Sequence, residues 1–281
     1  MYNKEYFKNG ILGSKETVEL IKSKDVKNYV KKYFVKNNCT IAICSPLSFN
    51  KVKSIISKYF ESVMPSNNLK PLPHRNLKLS SESKVSLYHK DIDKNFLSVT
   101  FMLPRKGPNL KYRTYLGSMC NIIDDISDGL TKELRIDNGL IYAMEAEYFI
   151  NRENSYIELE TEVCKENIKP CLDVMFNYIK KLRENGFTKQ DLTKELEKDE
   201  YYWQTRVISP DNIKNNLTKY RFYDRFINNE EVHKYAQSIK LDELNNAMRE
   251  LFDSAKINVF VYGNATKQDV YTIKQIEKKF K

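Results

Sequence analysis

The sequence predicts an α+β fold, in which a mainly antiparallel sheet is covered by helices. Short apolar runs alternate with amphipathic stretches of helical period, and one run, 156–163, alternates apolar and polar residues as a half-buried strand does. With 41% hydrophobic and 12% aromatic residues in 281, the chain can bury a substantial core. That length suits one large domain or two modest ones at roughly 100–200 residues each.

Strand-like stretches fall at 39–44, 84–88, 96–103, 140–149, 156–163 and 257–262. Val26, Val30, Tyr33 and Phe34 share one helical face, and Val52, Ile55, Ile56, Tyr59 and Phe60 share another. Ile168, Leu172, Met175, Phe176 and Ile179 form a third stripe. Thr188 with Asp191 reads as an N-cap opening a helix over 189–206, and Ser209-Pro210-Asp211 starts the next with Pro in its first turn. Phe222, Phe226, Leu241, Leu244, Met248 and Leu251 suggest further core-facing helix positions.

The segment 64–81, with Pro65, Pro71 and Pro73 and no periodicity, reads as a linker between a front piece (1–63) and a larger domain (82–281). An internal repeat crosses that division. Ile21 aligns with Ile239 at an offset of 239 − 21 = 218, and no gap is needed for about forty residues. Val26 meets Leu244, Val30 meets Met248, and Phe34 meets Phe252. Ile41 and Ile43 meet Val259 and Val261, and Val52 meets Val270. Each copy reads helix, strand, turn, helix. The second copy closes a domain of about 200 residues, so the first is expected to close a domain of which roughly 140 residues are not in this chain.

Composition excludes several functions. The net charge is +10, but 37 Lys against 10 Arg, with 27 Asn and 7 Ala, is a skew toward Lys and Asn rather than an Arg-rich nucleic-acid surface. Nucleic acid is therefore not the expected partner. No apolar run approaches the ~20 residues of a membrane helix, and a cytoplasmic location is expected. The five Cys are odd in number and form no C-x-x-C pair, which fits a reducing compartment. Cys39 and Cys44 lie in an apolar run and are expected to pack as small hydrophobes. His74, His89 and His233 have no paired ligand at metal spacing, so no zinc site is expected within the chain.

The segment 129–148 carries the candidate site. A helix ends at Asp137-Asn138-Gly139, where Gly fits a left-handed C-terminal cap, and a strand follows at once. Arg135 lies in the last helical turn and Tyr142 at the start of the strand. The first offers a fork of donors and the second a phenolic donor. The bland alternative makes Arg135 a helix-end charge and Tyr142 a core aromatic. Simple alternation puts Ile141 and Ala143 on the core side, and Tyr142 and Met144 on the other.

Leu134-Arg135 followed by Gly139-Leu140-Ile141-Tyr142 resembles the second-half signature of the pitrilysin/insulysin-type zinc metallopeptidases, the inverzincins, which include mitochondrial processing peptidase subunits. The front piece is also similar, at Gly10-Ile11-Leu12-Gly13-Ser14-Lys15-Glu16 and at Asn37-Asn38-Cys39-Thr40-Ile41-Ala42-Ile43. The resemblance implies a pair of similar α/β domains with the first truncated here. It implies zinc bound by H-x-x-E-H in a first domain, and this sequence has no such motif. It further implies that Arg135 and Tyr142 contact a peptide substrate. The expected function is thus the non-catalytic, substrate-binding half of such a peptidase, inactive alone. Its expected partner is a zinc-bearing half, or a second copy through residues 11–60. The alternative is a degenerate family member acting as a structural or basic binding module for an acidic partner.

Overall fold

The computed structural model describes residues 12–61, 82–103, 109–150, 155–206, 209–218 and 227–280. The expected linker, His74, Phe222 and Phe226 lie outside these residues.

The larger unit is built on five strands: β1 (Lys84–His89), β2 (Asn95–Leu103), β3 (Ile141–Ile150), β4 (Ser155–Val163) and β5 (Lys256–Gly263). Their spatial order is β1-β5-β2-β4-β3; β1 and β5 run parallel and every other neighbouring pair is antiparallel. The strands fall within a residue or two of the sequence expectation. On β4 the alternation is complete: Ser155, Ile157, Leu159, Thr161 and Val163 are buried, while Tyr156, Glu158, Glu160 and Glu162 point the other way.

Helices cover one face of this sheet. α4 is Leu110–Ile123, α5 is Leu130–Lys132 with a wide last turn at Glu133–Asp137, and α6 is Ile168–Asn185. Then come α7 (Lys189–Arg206), α8 (Pro210–Thr218), α9 (Asn229–Gln237), α10 (Leu241–Ser254) and α11 (Ile273–Phe280). The stripe Ile168, Leu172, Met175, Phe176, Ile179 on α6 is wholly buried. Aromatic rings lock the layers: Phe101 of β2 meets Phe252 of α10 edge-on at 5.1 Å, and Phe280 of α11 at 5.6 Å. Burying each such side chain stabilises the fold by about 1.5–3 kcal/mol.

Local caps set the helix order. Thr188 and Asp191 cap α7 reciprocally, the Thr188 amide donating to Asp191 at 2.7 Å and the Asp191 amide to Thr188 Oγ1 at 3.1 Å. α6 ends at Gly186, whose φ of +74° favours glycine and where an added Cβ would come within 2.8 Å of the Asn245 amide. The buried Asn245 amide accepts from the Phe187 N–H (2.7 Å) and donates to the Phe187 carbonyl (3.1 Å), tying the α6–α7 corner to α10.

The front unit contains α1 (Lys15–Glu19), α2 (Ser23–Tyr33) and α3 (Phe49–Ile56), α3 ending in a wide turn at Ser57–Glu61. Three sequence expectations change here. Residues 39–44 form no strand, because among the described residues no neighbouring strand pairs with them. Cys39 and Cys44 are exposed rather than packed as small hydrophobes. The repeat keeps register from the start of α2 against α10 (241 − 23 = 218), but its last helices diverge: α3 starts at Phe49, whereas α11 starts at Ile273, opposite Ile55.

Equivalent apolar positions of the two copies differ sharply in environment. Phe34 is 59% exposed against 0% for Phe252, and Ile41 is 39% against 1% for Val259. The same face is present twice, and among the described residues only the second copy has a sheet beneath it.

Candidate functional site

The site lies where α5 runs into β3, an edge strand. The wide last turn is closed by the Leu140 amide donating to the Leu134 carbonyl at 2.9 Å, and by Asn138 Nδ2 donating to the Glu133 carbonyl at 2.7 Å. Gly139 then adopts φ +62°, the left-handed conformation that the sequence expects of it.

β3 does not alternate simply. Ile141 pairs with Val163 and Met144 with Thr161, so three steps along β3 match two along β4. This is a β-bulge, and it re-aims side chains. Ile141 and Met144 are both buried, while Tyr142 and Ala143 are both exposed, which corrects the expected placement of Ala143 and Met144. Thr161 Oγ1 secures the bulge by donating to the Ala143 carbonyl at 2.6 Å.

The bulge presents Tyr142 outward, 79% exposed, with the Arg135 guanidinium carbon 4.8 Å from its ring centroid. Arg135 is half-buried. Stacking of this kind stabilises an exposed pair by about 0.5–1 kcal/mol and leaves the guanidinium edge and the phenol free to donate. Of the two, Tyr142 lines a groove of about 510 Å³, together with Phe96, Glu145, Glu160, Glu162 and Asn167.

Acidic side chains stand along the same sheet face. Glu145 lies directly opposite Glu160, and Glu147 opposite Glu158. Burial, followed by the neighbouring Glu158, pushes the Glu160 carboxyl up to about 7. Ser98 Oγ donates to Glu158 at 2.5 Å. Composition alone, with its net positive charge, gave no sign of this acidic face.

Two further clusters escaped sequence reasoning. The carboxylates that meet His233 come from α7, not from its own helix: Asp199 at 2.7 Å from Nδ1 and Glu200 at 3.1 Å from Nε2, with Trp203 stacked on the ring at 4.7 Å. Glu195 is 5% exposed. Its Oε1 accepts from Asn121 at 2.8 Å, and its Oε2 is buried without a partner. Burial is the main force lifting its carboxyl to about 7. The available signal was its place beside Leu192 and Leu196, on the apolar stripe of α7.

Among the described residues, no group of three His, Cys, Asp or Glu side chains could hold a metal ion. The described residues therefore offer no zinc centre.

The model of the peptidase M16 inactive domain matches residues 21–198, and the chain belongs to that family. It is an inactive C-terminal domain of the M16 peptidase type, and the match begins at Ile21, where the internal repeat also begins. Solved structures agree in fold. A peptidase M16 inactive domain from Pseudomonas fluorescens superposes with TM-score 0.79 at 14% identity, over 95% of this chain and 63% of that one. A protease from Helicobacter pylori gives 0.78 at 15% identity, over 90% of this chain and 61% of that one. A chain of complex III2 from Candida albicans gives 0.81 at 12% identity, over 99% of this chain and 67% of that one. The chain thus spans less than two thirds of the length of the first two. No curated protein matches it by sequence.

Proposed function

We propose that this chain is the non-catalytic, substrate-binding half of a pitrilysin/insulysin-type zinc metallopeptidase, holding a peptide that a zinc-bearing partner half cleaves. The observation that carries this reading is the stacking of Arg135 on Tyr142, the residue of the pair that lines the groove beside β3. Arg135 donates to a carbonyl or carboxylate of the peptide, and the Tyr142 hydroxyl adds a second donor. The exposed edge of β3 gives an extended peptide a strand to lie along. In this reading residues 1–63 are the remnant of a first peptidase-like domain, 64–81 a linker and 82–281 the second domain. The free cysteines suit a reducing cytoplasm.

The test is fluorescence anisotropy with a labelled unstructured peptide. Arg135→Ala and Tyr142→Phe should each weaken binding about 5–10-fold, the loss of about one hydrogen bond. The unfolding midpoint should not move. Unchanged affinity in both variants rejects the reading.

The alternative, a structural or basic module for an acidic partner, draws on the net charge of +10. Binding of that kind would fall steeply with salt.

A further inference from the structure

β3 changes face at its bulge. From Met144 onward its alternation is regular: Met144, Ala146, Tyr148 and Ile150 pack toward the core, and Glu145, Glu147 and Phe149 are exposed. This half of the strand is anchored, since Met144 is buried opposite Thr161 and Arg113 of α4 donates from Nε to the Tyr148 hydroxyl at 3.2 Å. Counted back from Met144 without a bulge, Tyr142 would fall opposite Val163 on the buried face, and Ile141 would turn outward. The extra residue reverses this. Ile141 takes the place opposite Val163, and Tyr142 is exposed. The outward aim of Tyr142 is thus a property of the bulge.

One side chain closes that bulge. Tyr142 and Ala143 have no opposite residue on β4, which leaves the Ala143 carbonyl to a side-chain donor. Thr161 Oγ1 donates to it at 2.6 Å; the same hydroxyl lies farther, 3.3 Å, from the Glu162 carbonyl. Thr161 is buried between Leu159 and Val163 on the inward face of β4. A hydroxyl there costs stability unless it is bonded, and valine has the same shape without that demand.

We propose that the Thr161 hydroxyl is a positioning group: by holding the bulge it keeps Tyr142 on the groove side of β3, stacked on Arg135. Thr161, Tyr142 and Ala143 all line the groove, so the device sits within the site that it shapes. The proposal deepens the peptide-binding reading, and its consequence for affinity rests on that reading. Its consequence for the Arg135–Tyr142 contact does not.

The test compares Thr161→Val with Thr161→Ser in the full chain. Nuclear Overhauser contacts between the Tyr142 ring and the Arg135 side chain are read with labelled tyrosine, the ring signals being assigned by their loss in Tyr142→Phe. The contacts should persist in the serine variant and vanish in the valine variant. Contacts that survive in the valine variant, or vanish from both, overturn the proposal. Should the valine variant not fold, Thr161→Cys against Thr161→Ser makes the same comparison, because a thiol is a weak donor. Affinity for the labelled unstructured peptide should fall about 5–10-fold in Thr161→Val and hold in Thr161→Ser. Adding Tyr142→Phe to Thr161→Val should cost less than about twofold more, since a misplaced phenol has no bond left to lose. Losses that multiply in the double variant also overturn the proposal. A parent chain that does not bind the peptide rejects the peptide-binding reading alone, and the ring contacts still decide the role of Thr161.

Discussion

Val30 and Met248 occupy equivalent positions on two copies of one helix, and they end in opposite environments: Val30 is 44% exposed and Met248 is fully buried. Met248→Ala should therefore cost about 2–5 kcal/mol in urea unfolding of the purified chain. Val30→Ala should stay within about 0.5 kcal/mol. Equal losses at the two positions would show that the front face is covered within the chain itself.

Gly139 has open space around the place where a Cβ would sit, so the only obstacle to substitution there is its φ of +62°. Gly139→Val should cost about 1–2 kcal/mol, and Gly139→Asn less, since Asn enters the left-handed region more readily. Chemical denaturation ranks the two. A valine variant as stable as the parent would mean that the turn into β3 has another conformation.

Glu195 makes stability depend on pH. Its carboxyl is raised from 4.5 to about 7, mainly by burial; Asn121, Lys198 and Ser118 pull it down, and Asp199 on the next turn pushes it up. Between those two values the folded chain keeps a proton that the unfolded chain has released. The contribution is therefore whole below about 4.5 and is lost as pH rises through about 7. Glu195→Gln should match the parent near pH 4 and exceed its stability by up to about 3 kcal/mol at pH 8. A constant difference at both pH values would mean that folding leaves the Glu195 carboxyl titrating as it does in the unfolded chain.

The purified chain should hold no stoichiometric zinc and should not cleave an unstructured peptide, because no described cluster combines metal ligands with a base. Metal analysis checks the first point, and a peptide cleavage assay with and without chelator the second. One tightly held zinc per chain, or chelator-sensitive cleavage, would locate a centre that the fold does not reveal.

The strands of the larger sheet were legible because each carries its own partner within reach. Leu97, Val99, Phe101 and Ile157, Leu159 are apolar at alternate positions, and the sheet meets that demand. Residues 39–44 show the same local pattern, but a strand is a relation between two segments, and the second segment is not among the described residues. The bulge at Tyr142 was illegible for a different reason: nothing in Ile141-Tyr142-Ala143-Met144 marks the extra residue, which exists only against the count along β4. Arg135 and Tyr142 stood out as a helix-end charge and a strand-start phenol, but their substrate role came only from the family resemblance; what the structure adds is their stacking at 4.8 Å. The pairing of Glu145 with Glu160 needed the register of two strands, and the burial of Glu195 needed the packing of α4 against α7.

Asn245 behaves as a borrowed peptide group. By bonding both the N–H and the C=O of Phe187, it makes a rung of the kind that joins two strands, but between a helix and a corner distant in sequence. Neither α10 nor the α6–α7 corner can swing away without breaking both bonds and stranding a buried amide. The α6–α7 corner and α10, joined through residues 58 apart along the chain, are therefore one cooperative unit, and their slow amides should open to hydrogen exchange at a common free energy.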